Sequence, residues 1–447
     1  MTSAEKANAI RASLPPEGLF ADKTWRIAPE PFALESRLHQ KIVELGPRLH
    51  AFNKACNLLY RQSHEGKQPR WIREYLDAGK PEEFLALARN PRFKNDLPLV
   101  IRPDILLTPE GFSITELDSV PGGIGLTAWL QQTYSRLDSN GSAIPMAELF
   151  LNALKTESAR HHPGAPSIAI VVSKESQDYR PEMEWLAALA PDVLTVCGPE
   201  ALRYQPDGVF VKERKITLIY RFFELFDLPN IAHHERLLIA VRDGLVGMTP
   251  PLKPHLEEKL WFALFWFPQL AEFWRRELGD RFFRDLKEVI PFTWILDPRP
   301  LPPQAVFPHL NIHSWEQMGS FSQKERDLIL KISGFSELAW GSRGVHVGSD
   351  MPQEEWQTRI QQALAEFEEH PYVVQRFAKT KLVEHPWHDF ETGADPMMKG
   401  RMRLCPYYFV ENDKPHFAGI LATLCPADKK LIHGMKDAVI TLAQSTS

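Results

Sequence analysis

The stretch that decides the fold is RPDILLTPEGFSITELDS, residues 102–119. Two runs with alternating apolar residues flank the sequence TPEG, whose proline and glycine are typical of a tight turn between antiparallel strands. We therefore predict a β-hairpin whose second strand runs from Phe112 to Leu117 and continues into Asp118. Side chains two residues apart on a strand share a face, so such a hairpin gathers its charged residues on one side of the sheet.

Three carboxylates and one arginine fall on this predicted face. Glu116 and Asp118 are two residues apart, and the short turn brings Asp104 beside them. Because neighbouring carboxylates repel each other unless a cation offsets them, a Mg²⁺ ion with oxygen ligands is the expected partner. Arg102 shares the face and is suited to stabilise charge on a phosphoryl or acyl-phosphate oxygen. The same spacing also fits a solvated hairpin face, with Arg102 in a simple ion pair with Glu116.

The composition excludes several classes of protein. At 447 residues the chain predicts two or three domains, and 44% apolar with 24% charged residues is typical of a globular protein. A net charge of -5 gives no basic field for nucleic acid or anionic lipid. Four dispersed cysteines without a CxxC motif favour a reducing compartment, and the apolar run 260–267 is too short to cross a membrane. The sequence thus predicts a cytoplasmic protein, and it does not indicate an oligomeric state.

A second motif, LILKISG, ends an apolar strand with a lysine. Lys331 is followed by three glycines that allow backbone N–H groups to approach phosphate oxygens, with the lysine as a point charge: Gly334, Gly341 and Gly344. The segment GSRG is also an ordinary turn sequence. The motif is not a P-loop, and no G-x-G-x-x-G follows a strand, so a Walker-type or classical dinucleotide site is not supported.

Hydrophobic periodicity predicts the remaining elements. Helices are expected over 34–90 and 232–288, and a small α/β unit over about 166–228. Within that unit, SIAIVVS and VLTVCG are predicted strands, and GVFV and ITLIYRFF are predicted to form an antiparallel pair. The last part alternates strand and turn, with strands in YVVQRFA, RMRLCPYYFV and HFAGILATLC.

Together these motifs resemble the glutathionylspermidine synthase-like, circularly permuted ATP-grasp family. The stretch RPDILLTPEGFSITELD resembles the family's R-x-D … E-x-N metal hairpin. EEKLWFALFWFP resembles its lysine followed by a hydrophobic helix and points to Lys259, and LKISG resembles the second nucleotide lysine. YVVQRF resembles the linker strand, with Gln375 near the adenine. The acidic residues precede both lysines, which is the permuted order.

The resemblance implies an α/β fold in which antiparallel-sheet ATP-grasp lobes carry a small Rossmann-like unit. It divides the chain into a helical segment with the metal hairpin (1–160), the Rossmann-like unit (166–230) and a nucleotide-binding part (231–447). It also implies a carbon–nitrogen ligase that uses ATP and two Mg²⁺ ions to join a small-molecule carboxylate to an amine. Lys259 and Lys331 would hold the phosphates.

Five further residues are predicted to hold the substrates. Those in SVPGGIG lie beside the metal hairpin and are expected to hold the acid: Ser119, Gly122 and Gly123. Arg221 and Glu224, in YRFFE, are expected to clamp a carboxylate and an amine. The sequence identifies neither the acid nor the amine.

Some features depart from the family pattern. Asp118 stands where asparagine is the commoner metal ligand, the proline-rich stretch 296–308 separates the two lysines, and no amidase domain is recognised. These departures argue against glutathionylspermidine synthase itself. Two alternatives stay open, a non-catalytic ATP-binding regulatory module and a carbohydrate-active hydrolase with Glu116 and Asp118 as its acid/base pair.

Overall fold

The protein is described by a computed structural model. It describes residues 1–15, 25–137, 145–302, 305–339, 343–429 and 437–446. Helices make up 42% and strands 25%, distributed over several sheets, which confirms the predicted mixed α/β class. Within these ranges, no helix combines the length and apolarity needed to cross a membrane.

Helices fill both predicted helical blocks, but one more lies at Gln353–Ala365, in a part of the chain that was predicted to alternate strand and turn. In the described segments they are α1 (Ser3–Ser13), α2 (Ser36–Val43), α3 (Leu45–His64), α4 (Arg70–Asp77), α5 (Glu82–Ala88), α6 (Ile124–Leu137), α7 (Met146–His161), α8 (Arg180–Ala188), α9 (His234–Asp243), α10 (Leu260–Trp266), α11 (Ala271–Val289) and α12 (Gln353–Ala365). Helices α2–α5 fill the first predicted helical block and α9–α11 the second.

Most of the described strands are short, and the two longest lie near the C-terminus. They are β1 (Arg26–Ile27), β2 (Phe32–Leu34), β3 (Val100–Thr108), β4 (Gly111–Asp118), β5 (Ile168–Val172), β6 (Leu194–Cys197), β7 (Leu202–Gln205), β8 (Gly208–Val211), β9 (Arg214–Ile216), β10 (Leu218–Phe222), β11 (Gly247–Thr249), β12 (Thr293–Ile295), β13 (Leu328–Ile332), β14 (Val345–Val347), β15 (Tyr372–Arg376), β16 (Leu382–Pro386), β17 (Met397–Glu411), β18 (Lys414–Pro426) and β19 (Val439–Ser445). The predicted hairpin is present as β3 and β4, joined by a two-residue turn.

The largest sheet has the strand order β1-β19-β18-β17-β3-β4. Its long strand β17 pairs antiparallel with β16 through residues 397–401 and with β3 through residues 403–409. Among the described strands, the hairpin therefore joins the sheet through β17 alone, a strand from the far end of the chain. One face of this sheet packs on α6 and α7.

A second sheet is parallel and has the order β11-β10-β5-β6. All five residues of β5 and all five of β10 are buried, as expected for parallel strands covered on both faces. The order runs outward from β5 in both directions, so a topological switch point lies between β5 and β10. Three of its strands, β5, β6 and β10, lie within the predicted small α/β unit, whereas β11 lies beyond the predicted end of that unit.

One predicted pairing is wrong. We expected GVFV to pair with the whole of ITLIYRFF, but β8 pairs antiparallel only with the short β9, while β10 pairs parallel with β5. Thr217 separates the two pairings. Its N–H and its hydroxyl both donate to the carbonyl of Ser167, at 2.8 and 2.9 Å, and this turns the chain into the parallel sheet.

A third sheet, β12-β15-β13-β14, carries the second lysine motif. Its apolar face packs with α12 in a core that includes Trp294, Leu330, Trp356 and Val374. Its other face contacts α10 through β12 and β15. Strands β7, β8 and β9 form a separate small sheet.

The chain forms two compact units, each assembled from non-contiguous stretches. One contains residues 1–50, 95–252 and 380–447, with the large antiparallel sheet and the parallel sheet. The other contains residues 51–94 and 253–379, with the lysine-bearing sheet. The division into 1–160, 166–230 and 231–447 follows chain order and stays a prediction.

Candidate functional site

The hairpin places Arg102 and three carboxylates on one face, as the sequence predicted. In the register of β3 and β4, Arg102 is opposite Asp118 and Asp104 is opposite Glu116. Just beyond Asp104 the register shifts by one residue on β4, and the Thr115 hydroxyl donates to the Asp104 carbonyl at 3.2 Å. This bulge confines the shared face to the end of the hairpin.

Arginines lie between the carboxylates. The Arg102 guanidinium contacts the carboxylates of both Asp104 and Asp118. A second arginine, Arg403 on β17, has its Nη1 3.3 Å from Asp104 Oδ2. Burial opposes the charge of Arg102, but Asp104 and the neighbouring Cys405 still raise its pKa above the ordinary value. The hairpin is thus a compact charged cluster in which two guanidinium groups contact the carboxylates of Asp104 and Asp118, while Glu116 lies opposite Asp104 on the neighbouring strand.

Strand β17 contributes residues that the sequence analysis did not assign. Arg403, Cys405 and Tyr407 alternate along the strand and lie beside the hairpin face. The Cys405 thiol is 3.3 Å from Arg102 Nη1 and 3.5 Å from Asp104 Oδ1. Burial, and then Asp104, raises the pKa of this thiol, so it stays protonated at neutral pH and acts as a weak donor. The alternation in RMRLCPY was the available signal, but nothing local assigns β3 as its partner.

The carboxylates fit a hard cation by chemistry, since Mg²⁺ prefers oxygen ligands. Asp104 and Asp118 are part-buried, with 18% and 24% of their side chains exposed, so one side of the cluster is accessible. Arg102 occupies oxygens of both. Over the described ranges, no group of three or more His, Cys, Asp or Glu side chains has an arrangement that could hold a metal ion as it stands. A metal here would share the carboxylates with Arg102, and the metal assignment stays a prediction.

The predicted acid-binding loop leads from the hairpin to α6. The Ser119 hydroxyl donates to Glu224 Oε2 at 2.9 Å, so two predicted substrate residues lie in contact. Glu224 follows β10, at the switch point of the parallel sheet, which is where α/β sheets commonly bind ligands. The structure therefore brings the charged hairpin and the end of the parallel sheet together within one compact unit.

Both glycines of the loop are held closely. The Gly122 carbonyl accepts a hydrogen bond from the Tyr407 hydroxyl at 2.6 Å. Gly123 has φ of +86°, and its N–H donates to the buried carboxylate of Glu182 at 2.7 Å. Glu182 also accepts from the N–H of Leu126 at 3.2 Å, so it caps the first turn of α6. These contacts fix the loop's shape, and its substrate role stays a prediction.

Arg221 is fully buried among backbone carbonyls. Its guanidinium donates to the carbonyls of Phe223, Pro250 and Pro251, at 2.6, 3.0 and 3.4 Å. These contacts hold the loop after β11 against the end of β10. The carboxylate-clamp role predicted from the sequence is not tested by them.

In the other unit, Lys331 is paired with Gln375. Lys331 Nζ donates to Gln375 Oε1 at 3.0 Å, and Gln375 Nε2 donates to Thr293 Oγ1 at 3.2 Å. Both predicted residues are buried, with 5% and 2% of their surface exposed. They lie on the face of the sheet that contacts α10. The sequence singled out both residues, but it did not predict that they bond to each other.

Lys259 lies beside the segment that follows β13. Its Nζ is 3.4 Å from the carbonyls of Ser333 and Ala339. Gly334 packs closely here, since a Cβ at this position would come within 2.9 Å of the Glu257 carbonyl. The structure thus brings Lys259, the end of the Lys331 strand and Gly334 together.

The other two loop glycines are placed differently. Gly344 returns the chain to β14, and its N–H donates to the Leu338 carbonyl at 2.7 Å. Gly341 lies outside the described residues. Phosphate binding by these glycines therefore stays a prediction.

Comparisons with known proteins show the fold and no more. No family model matches the chain, and no curated protein matches it. Among solved structures, it is similar to a glutathione synthetase-like effector from Globodera pallida in its apo form. The TM-score is 0.60 at 10% identity, over 99% of this chain and 96% of that chain. The protein therefore has a glutathione synthetase-like fold over nearly its whole length. The circular permutation inferred from motif order stays a prediction.

Proposed function

We propose that the protein is an ATP- and Mg²⁺-dependent ligase that joins a carboxylate to an amine through an acyl-phosphate. The observation that carries the proposal is the hairpin face, where Arg102 lies with Asp104, Glu116 and Asp118 on a glutathione synthetase-like fold. Carboxylates beside a guanidinium suit a phosphoryl-transfer site, because the acids hold the metal and the arginine stabilises the transferred group.

Separate groups of residues are proposed to bind the metal ion and the nucleotide. Asp104, Glu116 and Asp118 would hold Mg²⁺, which when bound neutralises charge on the phosphates. Two buried or part-buried lysines in the second unit, Lys259 and Lys331, are proposed to hold the nucleotide phosphates. Gln375 orients Lys331 through their 3.0 Å hydrogen bond and is proposed to lie near the adenine.

The reaction balances without a further reagent. A carboxylate oxygen of the acid attacks the γ-phosphorus, and the bond to the β–γ bridging oxygen breaks to release ADP. The amine nitrogen then attacks the acyl carbon, the bond to phosphate breaks, and a proton leaves the nitrogen. The products are an amide, ADP and phosphate. Ser119 and Glu224, in contact at 2.9 Å, are proposed to hold the substrates at the end of the parallel sheet.

The first test is thermal stability with ATP, with Mg²⁺ and with both. We expect a rise in Tm of several degrees only when both are present, because a ligand that binds only the folded state stabilises it. D104N, E116Q and K331M should each reduce this joint rise, the first two by weakening Mg²⁺ binding and the third by weakening phosphate binding. Glu110 lies in the exposed turn of the same hairpin, so E110Q is the matched control for removing a charge.

The second test is phosphate release from ATP across pairs of acids and amines. A ligase releases phosphate only with a productive pair, and D104N or E116Q should slow it by about 10²–10³-fold. A folded wild type whose Tm responds to no combination of ATP and Mg²⁺ would overturn the nucleotide premise.

A non-catalytic nucleotide-binding module is the second candidate. It is favoured by the engagement of both Asp104 and Asp118 by Arg102, which leaves fewer free metal ligands. The variant R102M separates the two functions. A ligase loses turnover in R102M, whereas a binding module keeps its nucleotide-induced rise in Tm and shows no phosphate release even as wild type. The carbohydrate-active hydrolase is disfavoured, because it needs the Asp118 carboxylate for its acid/base pair and Arg102 engages that carboxylate.

A further inference from the structure

Glu258, the residue before Lys259, belongs to a buried ionic network. The side chains of Glu258 and Lys80 are 1% and 0% exposed, and Lys80 Nζ is 2.5 Å from Glu258 Oε1. The other carboxylate oxygen, Oε2, accepts a hydrogen bond from the Ser333 hydroxyl. That hydroxyl in turn accepts from the N–H of Leu260 at 2.9 Å. Both oxygens of Glu258 are therefore engaged, and the network is enclosed within one compact unit.

The network joins three segments, two of which carry proposed nucleotide residues. Lys80 follows α4, Glu258 precedes α10, and Ser333 follows β13 immediately after the Lys331 strand. The Ser333 carbonyl accepts from the backbone N–H of Lys259 at 3.2 Å and from its Nζ at 3.4 Å. The orientation of the Lys259 ammonium thus depends on where Ser333 is held.

The start of the glycine loop is built around the same carboxylate. A Cβ on Gly334 would come within 3.0 Å of Glu258 Cδ, so only glycine lets the loop pass this close. The next residue, Phe335, has φ of +43° and packs its ring on Phe84. The loop therefore leaves β13 in a conformation set by contacts to Glu258 and to the segment that contains Lys80.

Stability alone is a weak reason to bury this pair. Removing two charges from water costs several kcal/mol, and well-packed apolar residues often do as well. A buried, fully bonded carboxylate does specify geometry, because each of its partners has one favourable position. With only 1% of its side chain exposed, Glu258 cannot reach a ligand itself and can act only through its neighbours.

We propose that Glu258, with Lys80 and Ser333, is a positioning residue that sets the placement of Lys259 and of the loop after Lys331 for nucleotide phosphates. This inference rests on the proposed function. It assigns the network no contact with nucleotide and no chemical step. Its effect passes through Lys259 and the loop backbone.

The test is a double-mutant cycle on nucleotide affinity, measured by calorimetry with Mg·ATP on the full chain. S333A removes the bridging hydroxyl, and we expect it to weaken binding about tenfold. In a K259Q background the same change should have a smaller effect, because one of the two groups through which it acts, the Lys259 ammonium, is already absent. A merely structural change would weaken both backgrounds equally.

Two more variants keep the test decisive. E258Q keeps the side-chain volume but removes the charge that Lys80 pairs with, and it should reproduce the effect if S333A folds poorly. Y75F is the control for losing a hydroxyl that donates to a carboxylate, because the Tyr75 hydroxyl donates to Asp297 Oδ2 at 2.5 Å in the same compact unit. We expect Y75F to leave affinity unchanged.

The outcomes separate the two proposals. A wild type that binds Mg·ATP, with unchanged affinity in folded S333A and E258Q, overturns the positioning role alone. Equal losses in the wild-type and K259Q backgrounds also overturn it. A wild type that binds no nucleotide overturns the proposed function and this inference with it.

Discussion

His255 is a fully buried residue whose charge state is fixed by its surroundings. Its ring stacks on Tyr60 with the centroids 3.8 Å apart, and neither ring nitrogen has a hydrogen-bond partner among the described residues. Burial, and then the nearby charges of Lys253, Lys80 and Arg89, lower the pKa of His255 well below its ordinary value of 6.5. The imidazole is therefore neutral in the folded protein throughout the physiological range.

This predicts a pH dependence of stability. The folded pKa is lowered, so below about pH 6.5 the unfolded chain binds a proton that the folded chain does not. The contribution of His255 to the free energy of unfolding should therefore be constant above that pH. Below it, the free energy of unfolding should fall by up to about 1.4 kcal/mol per pH unit. Urea unfolding of the wild type and H255F between pH 5 and pH 8 measures it.

The variant H255F keeps a ring to stack on Tyr60 and removes the titration. We expect its free energy of unfolding to fall less steeply below pH 6.5 than that of the wild type. H416F replaces an exposed histidine and controls for the loss of an imidazole. Parallel profiles for the wild type and H255F would contradict the assignment.

At the scale of elements, the sequence predicted individual strands and a hairpin, but it did not predict which distant strands pair. The hairpin could be predicted because alternation and the turn TPEG lie within one short stretch, and these fix which side chains share a face. The pairing of β10 with β5 could not, since it depends on Thr217 meeting Ser167 in the folded chain. The same limit hid Arg403. Its strand was predicted, but the pairing of that strand with β3, which brings Arg403 beside Asp104, was not.

The candidate site shows the same division. Lys331 and Gln375 were each singled out from short motifs, but their mutual hydrogen bond follows from the pairing of β13 with β15. The Glu258 carboxylate gave no sequence signal, because one acid in EEKL is indistinguishable from a solvated one until Lys80 and Ser333 are placed around it.

The loop between the hairpin and α6 offers a prediction at this scale. Gly123 has φ of +86°, and an added Cβ would come within 2.6 Å of the Tyr407 hydroxyl. G123A should therefore lower the free energy of unfolding by about 3 kcal/mol, from backbone strain plus displacement of Tyr407. Urea unfolding measures the loss.

Gly66 provides a matched control. Its φ is +74°, and nothing lies within 4 Å of the Cβ position, so G66A isolates the backbone strain. We expect a cost of about 1 kcal/mol there. Equal costs at the two positions would mean that the Tyr407 contact does not constrain the loop.

At the scale of the whole molecule, each compact unit depends on distant stretches of chain. The unit that contains the hairpin requires residues 380–447, which supply β16 to β19. A chain ending at Lys379 should therefore lose amide protection throughout β3, while β13 and β15 stay protected because their unit ends there. Hydrogen exchange followed by mass spectrometry measures both against the full chain. Loss of protection in β13 as well would show that the second unit does not fold alone.

The pairing of β3 with β17 also means that β3 cannot complete its pairing until late in translation. Leu106 pairs with Arg403, so the outer edge of β3 leaves the ribosome long before the strand that covers it. Until then its backbone N–H and C=O groups are open to association with other chains. The acidic hairpin is among the first parts to be synthesised and among the last to be completed, and a translational pause shortly before residue 397 would lengthen its exposure.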